Sequence, residues 1–157
     1  MRTLLRVLFV LALAAVVGSI WVVDAPSGEP DPAVGWYAKI SFPSGIWLCL
    51  GGGGRAAVFF APSAGAGPPT FAAFGTWARD GNRIEVDAPV IRLQMREDGA
   101  RLRSENDPTP FDALDPAATL PPWATATDDD GRPPRWARDL GSGDDPWWSR
   151  VPPRPHP

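Results

Sequence analysis

The sequence predicts a mainly β fold: a small antiparallel meander or barrel of about seven strands, preceded by an N-terminal transmembrane helix and followed by a largely disordered tail. Three observations predict it. Apolar and polar residues alternate with period two along much of residues 36–104. Compact turn signals interrupt that alternation at roughly 8–12 residue spacing. The 20 prolines and 16 glycines among 157 residues exclude a long-helix bundle or coiled coil. At 44% apolar residues the chain still has the composition of a folded protein.

The N-terminal segment comes first in order. Arg2 and Arg6 precede a run without charge over residues 7–23. At 1.5 Å per residue this run reaches about 26 Å, the short end of what crosses a bilayer. Trp21 suits the interfacial aromatic belt, and the early arginines place the amino terminus in the cytoplasm. Residues 1–23 therefore read as a transmembrane anchor. The alternative is a signal segment cleaved after Ala25, which Pro26 disfavours. Both readings export the body. A chain with 14 arginines and one lysine, rich in Ala, Gly and Pro, suggests a GC-rich bacterial genome. The expected location is the bacterial inner membrane with the body in the periplasm or outside, or, after cleavage, a secreted or periplasmic protein.

Residues 24–35 form a linker rich in Pro, Gly and acids. Residues 36–104 carry net charge +3 and residues 105–157 carry −5 and 12 prolines, so a domain boundary is expected at Ser104-Glu105.

Within residues 36–104 the strands follow one another. Trp36, Ala38, Ile40 and Phe42 alternate with Tyr37, Lys39 and Ser41, which assigns the first set to the core. Ile46 to Leu50 is continuously apolar, as in a strand covered on both faces. Gly51 to Gly54 turns the chain into a strand containing Val58, Phe59 and Phe60. After a Gly/Pro loop, residues 70–79 form an aromatic strand with a bulge expected at Gly75. Asp80-Gly81 and Asp98-Gly99 are hairpin signals. Between them Ile84 and Val86, then Ile91, Leu93 and Met95, alternate with charged or polar residues. Leu102 follows, flanked by Arg101 and Arg103.

The stretch Phe74-Gly75-Thr76-Trp77-Ala78-Arg79-Asp80-Gly81-Asn82-Arg83-Ile84-Glu85-Val86 resembles small bacterial lipocalin-like β-barrel domains of exported envelope proteins. The resemblance covers residues 36–104. It implies a fold and a ligand cavity, not an activity.

Most candidate chemistry fails for physical reasons. Gly51-Gly52-Gly53-Gly54-Arg55-Ala56 matches a dinucleotide fingerprint, but the helix that would hold pyrophosphate does not follow. Cys49 sits in an apolar strand, with no histidine in the domain to activate it. Asp128-Asp129-Asp130-Gly131 lacks calcium ligands at the first and twelfth positions, Ala126 and Ala137. Glu85 and Asp87 face arginines and read as salt-bridge partners. The single histidine, His156, lies in a Pro-flanked tail. No catalytic, cofactor or metal site is therefore assigned, and an enzyme of unknown chemistry is the least favoured reading.

Two constellations remain. Arg92, Arg96, Arg101 and Arg103 should share one strand face, a basic binding surface for anionic headgroups or the acidic tail. Trp36, Trp47, Phe59, Phe74 and Trp77 read as core aromatics, or as the lining of a ligand cavity. The tail combines Trp123, Trp136, Trp147 and Trp148 with dense proline. It is expected to be mostly disordered, with residues 110–114 docking onto the barrel. The expected function is a membrane-anchored, outward-facing, non-enzymatic binding or scaffolding module. Its partners would be the membrane, an envelope protein or anionic headgroups, and not nucleic acid. The alternative is an exported carrier of a small apolar ligand.

Overall fold

The computed structural model describes residues 31–41, 43–62, 67–115, 117 and 119–153. The predicted membrane span lies outside them. Among the described residues no helix is long and apolar enough to cross a membrane.

Among the described residues eight strands close a barrel: β1 (Gly35–Ser41), β2 (Ser44–Gly51), β3 (Arg55–Pro62), β4 (Phe71–Asp80), β5 (Arg83–Ala88), β6 (Ile91–Asp98), β7 (Arg101–Ser104) and β8 (Asp107–Ala113). Each pairs antiparallel with the next, and β8 returns to β1 through Tyr37↔Ala113 and Ala38↔Asp112. Gly81 and Gly99, with φ of 58° and 59°, make the predicted hairpin turns. Gly51–Gly54 is also a hairpin connection, with a 3-10 turn over Gly52–Gly54 followed directly by strand.

Closure depends on β4. Residues 71–76 pair with β3, and residues 76–80 pair with β5. At the changeover, a Cβ on Gly75 would lie 2.1 Å from the Asp87 carbonyl oxygen. Only glycine lets the two backbones approach so closely.

Two corrections concern extent. The strands, expected to number about seven, are eight, and the barrel does not stop at Ser104. Glu105-Asn106 is the β7–β8 turn, and residues 107–113 supply the closing strand. Pro108 and Pro110 lie in this strand although proline cannot donate to a ladder. The ladder is interrupted where they sit. The register to β7 shifts between Leu102 and Ser104, and β1 pairs only with Asp112 and Ala113.

A third correction concerns the inward face of β1. Tyr37, not Trp36, points into the barrel. Its lumen is packed by Tyr37, Leu48, Leu50, Val58, Ile84, Val86, Met95, Leu102 and Phe111. Trp36 and Ala38 lie on the outside, and they too are buried. Alternation misassigned the faces because both sides of β1 are covered.

What covers the outside is the C-terminal segment, expected to be largely disordered. Its helices α1 (Pro122–Thr125) and α2 (Arg135–Asp139), and a 3-10 turn over Trp147–Arg150, lie on the outer face of β1–β4. Trp36, Trp47, Phe59 and Phe74 from the barrel meet Trp123, Trp136, Trp147 and Trp148 from this strap. Trp123 contacts Trp36, Trp47 and Phe59, with centroids 6.2, 5.8 and 5.1 Å away. Trp148 contacts Phe59 and Phe74 at 6.1 and 5.1 Å. Each such ring removes about 150–250 Å² from water. That gain outweighs the short helices and the density of proline. Proline even serves the strap: Pro122 opens α1, where no amide hydrogen is needed.

Polar ties fix the strap's path. Trp36 Nε1 donates to the Val151 carbonyl at 3.0 Å. Arg55 reaches Asp145 at 3.0 Å and lies over the Trp147 ring, 5.0 Å from its centroid. Trp147 occupies the space a side chain at residue 51 would fill: a Cβ on Gly51 would lie 2.5 Å from its Cζ3. The indole nitrogens of Trp47, Trp123 and Trp148 are buried without a hydrogen-bond partner. They sit among edge-to-face rings, where a ring edge meets a neighbouring π face.

Candidate functional site: an apolar mouth at one end of the barrel

The two ends of the barrel differ. One end carries the β2–β3, β4–β5 and β6–β7 turns and is plugged. Arg79 bonds to Asp31 at 2.8 Å and to Glu97, and its Nε donates to the Gly81 carbonyl at 2.8 Å. Burial works against the Arg79 charge, but the hydrogen bond to Asp31 and the charges of Glu97 and Asp31 outweigh it and raise its pKa. The Tyr37 hydroxyl donates to the Ala33 carbonyl, and Trp77 Nε1 to that of Gly51, both at 2.9 Å.

Among the described residues the opposite end carries an apolar cleft. Phe60 lies near the end of β3 and Phe71 opens β4; the two are register partners. Their rings meet edge to face, 5.5 Å between centroids. Thr70 is held by its amide on the Phe60 carbonyl at 2.9 Å. Together with Ile91, the first residue of β6, they line a solvent-open cleft of about 350 Å³. Beside it Pro89-Val90 forms the β5–β6 turn. Val90 has φ of 60° and is 90% exposed. A smaller hollow of about 170 Å³ continues past Phe71 and Val90 to Leu140 on the strap. Ile40 and Val90, the exposed large hydrophobics among the described residues, both lie toward this end. At the same rim Lys39 forms an ion pair with Asp107, whose carboxyl is held below its ordinary range by that hydrogen bond and by the Thr109 amide.

The predicted site residues fall into three places. Arg92, Arg96, Arg101 and Arg103 do share the outer face of β5–β8, but each is paired: with Asp87 at 3.2 Å, Glu105 at 3.6 Å, Asp112 at 2.7 Å and Asp98 at 2.8 Å. Arg83 pairs with Glu85 at 3.4 Å. Cross-strand neighbours thus cancel the charge that would attract an anionic surface. Trp36, Trp47, Phe59 and Phe74 lie under the strap, and Trp77 packs against the lumen core. None of the five is among the residues lining the cleft. Phe60 and Phe71 read in sequence as ordinary core, and nothing in period two separates a strand end in a mouth from one in a core.

Cys49 is buried under the strap, and burial pushes its thiol well above the ordinary value, with Arg55 offsetting this only in part. The acidic turn is tied down internally: Asp128 pairs with Arg138 at 2.6 Å, and the Gly131 amide donates to the Asp128 carbonyl at 2.8 Å. Among the described residues no three His, Cys, Asp or Glu side chains gather as metal ligands.

In comparisons with known proteins, no family model, no curated protein and no solved structure matches this chain.

Proposed function

We propose that the chain is a membrane-anchored, outward-facing bacterial envelope protein whose barrel is a non-enzymatic binding module, and that it binds through the apolar mouth. One observation carries this reading: the Phe60, Thr70, Phe71 and Ile91 cleft is open to solvent. The outside of β1–β4 is covered by the strap, and that of β5–β8 is ion-paired. Mouths of β-barrels are frequent binding sites, and about 350 Å³ is the low end of ligand-pocket size. The packed lumen below argues against the alternative of a carrier that encloses its ligand. The mouth suits an apolar side chain or a similarly small apolar group. The anchor in this reading is residues 1–23.

The test uses N-phenyl-1-naphthylamine, whose emission rises in apolar sites. The native protein, dilute enough to be monomeric, should bind it with a blue shift. Phe71→Ser, with circular dichroism unchanged, should weaken binding about tenfold. Equal binding by both proteins, or none by either, removes the mouth as the site.

A further inference from the structure

We propose that the mouth's occupant is a second copy of this chain: in an isologous dimer, Val90 of each copy seats in the mouth of the other, against Phe60, Phe71 and Ile91. This rests on the mouth being the binding site.

The first ground is Val90 itself. A β-branched residue at φ of 60° occupies a conformation suited to glycine or asparagine. Its side chain is 90% exposed, so packing within the chain does not compensate. Glycine would make the same Pro89-Xaa turn without strain. The side chain therefore has its use outside the chain.

The second ground is adjacency. The projecting Val90 is next in sequence to Ile91 of the mouth, and its turn borders Phe71. A knob beside a hole on one surface is self-complementary: a two-fold axis puts each knob in the other's hole.

The third ground is charge. Asp87 and Arg92 flank the turn on register-paired positions and are 64% and 72% exposed. They pair with each other at 3.2 Å, so the surface beside the knob carries no net charge and a second copy brought against it meets no like-charge repulsion.

The fourth ground is where the chain runs. Asp31 is bound to Arg79 and Val151 to Trp36, both at the plugged end. Both ends of the described chain thus lie away from the mouth.

The test is cross-linking in membranes of cells expressing two differently tagged full-length chains, one carrying Val90→Cys and the other Thr70→Cys. Copper-phenanthroline with oxygen is the oxidant that joins the two thiols. Buried Cys49 contributes no background. The mixed disulfide dimer should exceed the homodimer of either variant at least fivefold, and Phe71→Ser in the Thr70→Cys chain should reduce it to background. A mixed yield no higher than the homodimers overturns the proposal. So does native-like dimerisation of Val90→Asp in chemical cross-linking of the same membranes. Naphthylamine binding separates the two readings. A monomer that binds the probe at the mouth overturns the dimer alone, whereas a monomer that does not bind it overturns both.

Discussion

The Trp36 indole donates a hydrogen bond to the Val151 carbonyl at 3.0 Å, joining the first strand to a residue 115 positions later. Around that bond the barrel and the strap pack eight aromatic side chains, six of them buried, in a layer outside the lumen. The barrel strands alone approach the size at which a single core is marginal. The strap supplies a second core.

The strap should therefore contribute to global stability. Trp148 is fully buried between Phe59, Phe74 and Trp147. Trp148→Ala should cost about 3–5 kcal/mol in urea unfolding. A change below about 1 kcal/mol would show that the layer does not hold the barrel.

Gly51 should be intolerant of even one added carbon. A Cβ there would lie 2.5 Å from Trp147 Cζ3, and the Trp147 ring also receives Arg55. Gly51→Ala should displace the ring, at a cost of about 1–3 kcal/mol, and change the near-ultraviolet circular dichroism. An unchanged spectrum and stability would contradict this seat for Trp147.

These two positions show what the sequence made legible. Hairpins at Gly81 and Gly99 were readable because their turn type demands glycine. The alternation through Ile84, Val86 and Met95 was readable because the other face of those strands meets water. β1 was misread face for face, because Trp36 and Tyr37 are both buried. The strap was unreadable for a related reason. Its fold depends on Trp123 and Trp148 finding Phe59 and Phe74, a tertiary pairing that local propensity and proline content do not report. The mouth was hidden because Phe60 and Phe71 are spaced like any core residue.

Val90 should be replaceable to the monomer's advantage. Left-handed strain costs about 1–3 kcal/mol, and glycine's added unfolded-state freedom returns about 0.5–1 kcal/mol of that. Val90→Gly should raise stability by about 1 kcal/mol in urea, measured at concentrations where the protein is monomeric. A loss of stability would mean that the turn is not strained.

Acid should weaken the strap's tie. The hydrogen bond from Arg150, with that of Arg55 added, holds the Asp145 carboxyl below its ordinary range. A depressed carboxylate contributes stability that is full above its unfolded pKa, about 3.9, and is lost as pH falls through the folded value. Asp107, bonded to Lys39, acts in the same direction. Stability should hold from pH 7 to about 5 and fall below about 4. Asp145→Asn should flatten part of that fall, as read from urea midpoints against pH. An identical acid slope in the variant would count against the Asp145 tie.

The most direct test of the strap is the Trp36 indole proton in the NMR spectrum of the full chain. Held on Val151 inside the aromatic layer, it should exchange with solvent at least a hundredfold slower than a free indole and show a nuclear Overhauser effect to Val151. Exchange at the free-indole rate, with no contact to Val151, would contradict a barrel wrapped by its own C-terminal segment.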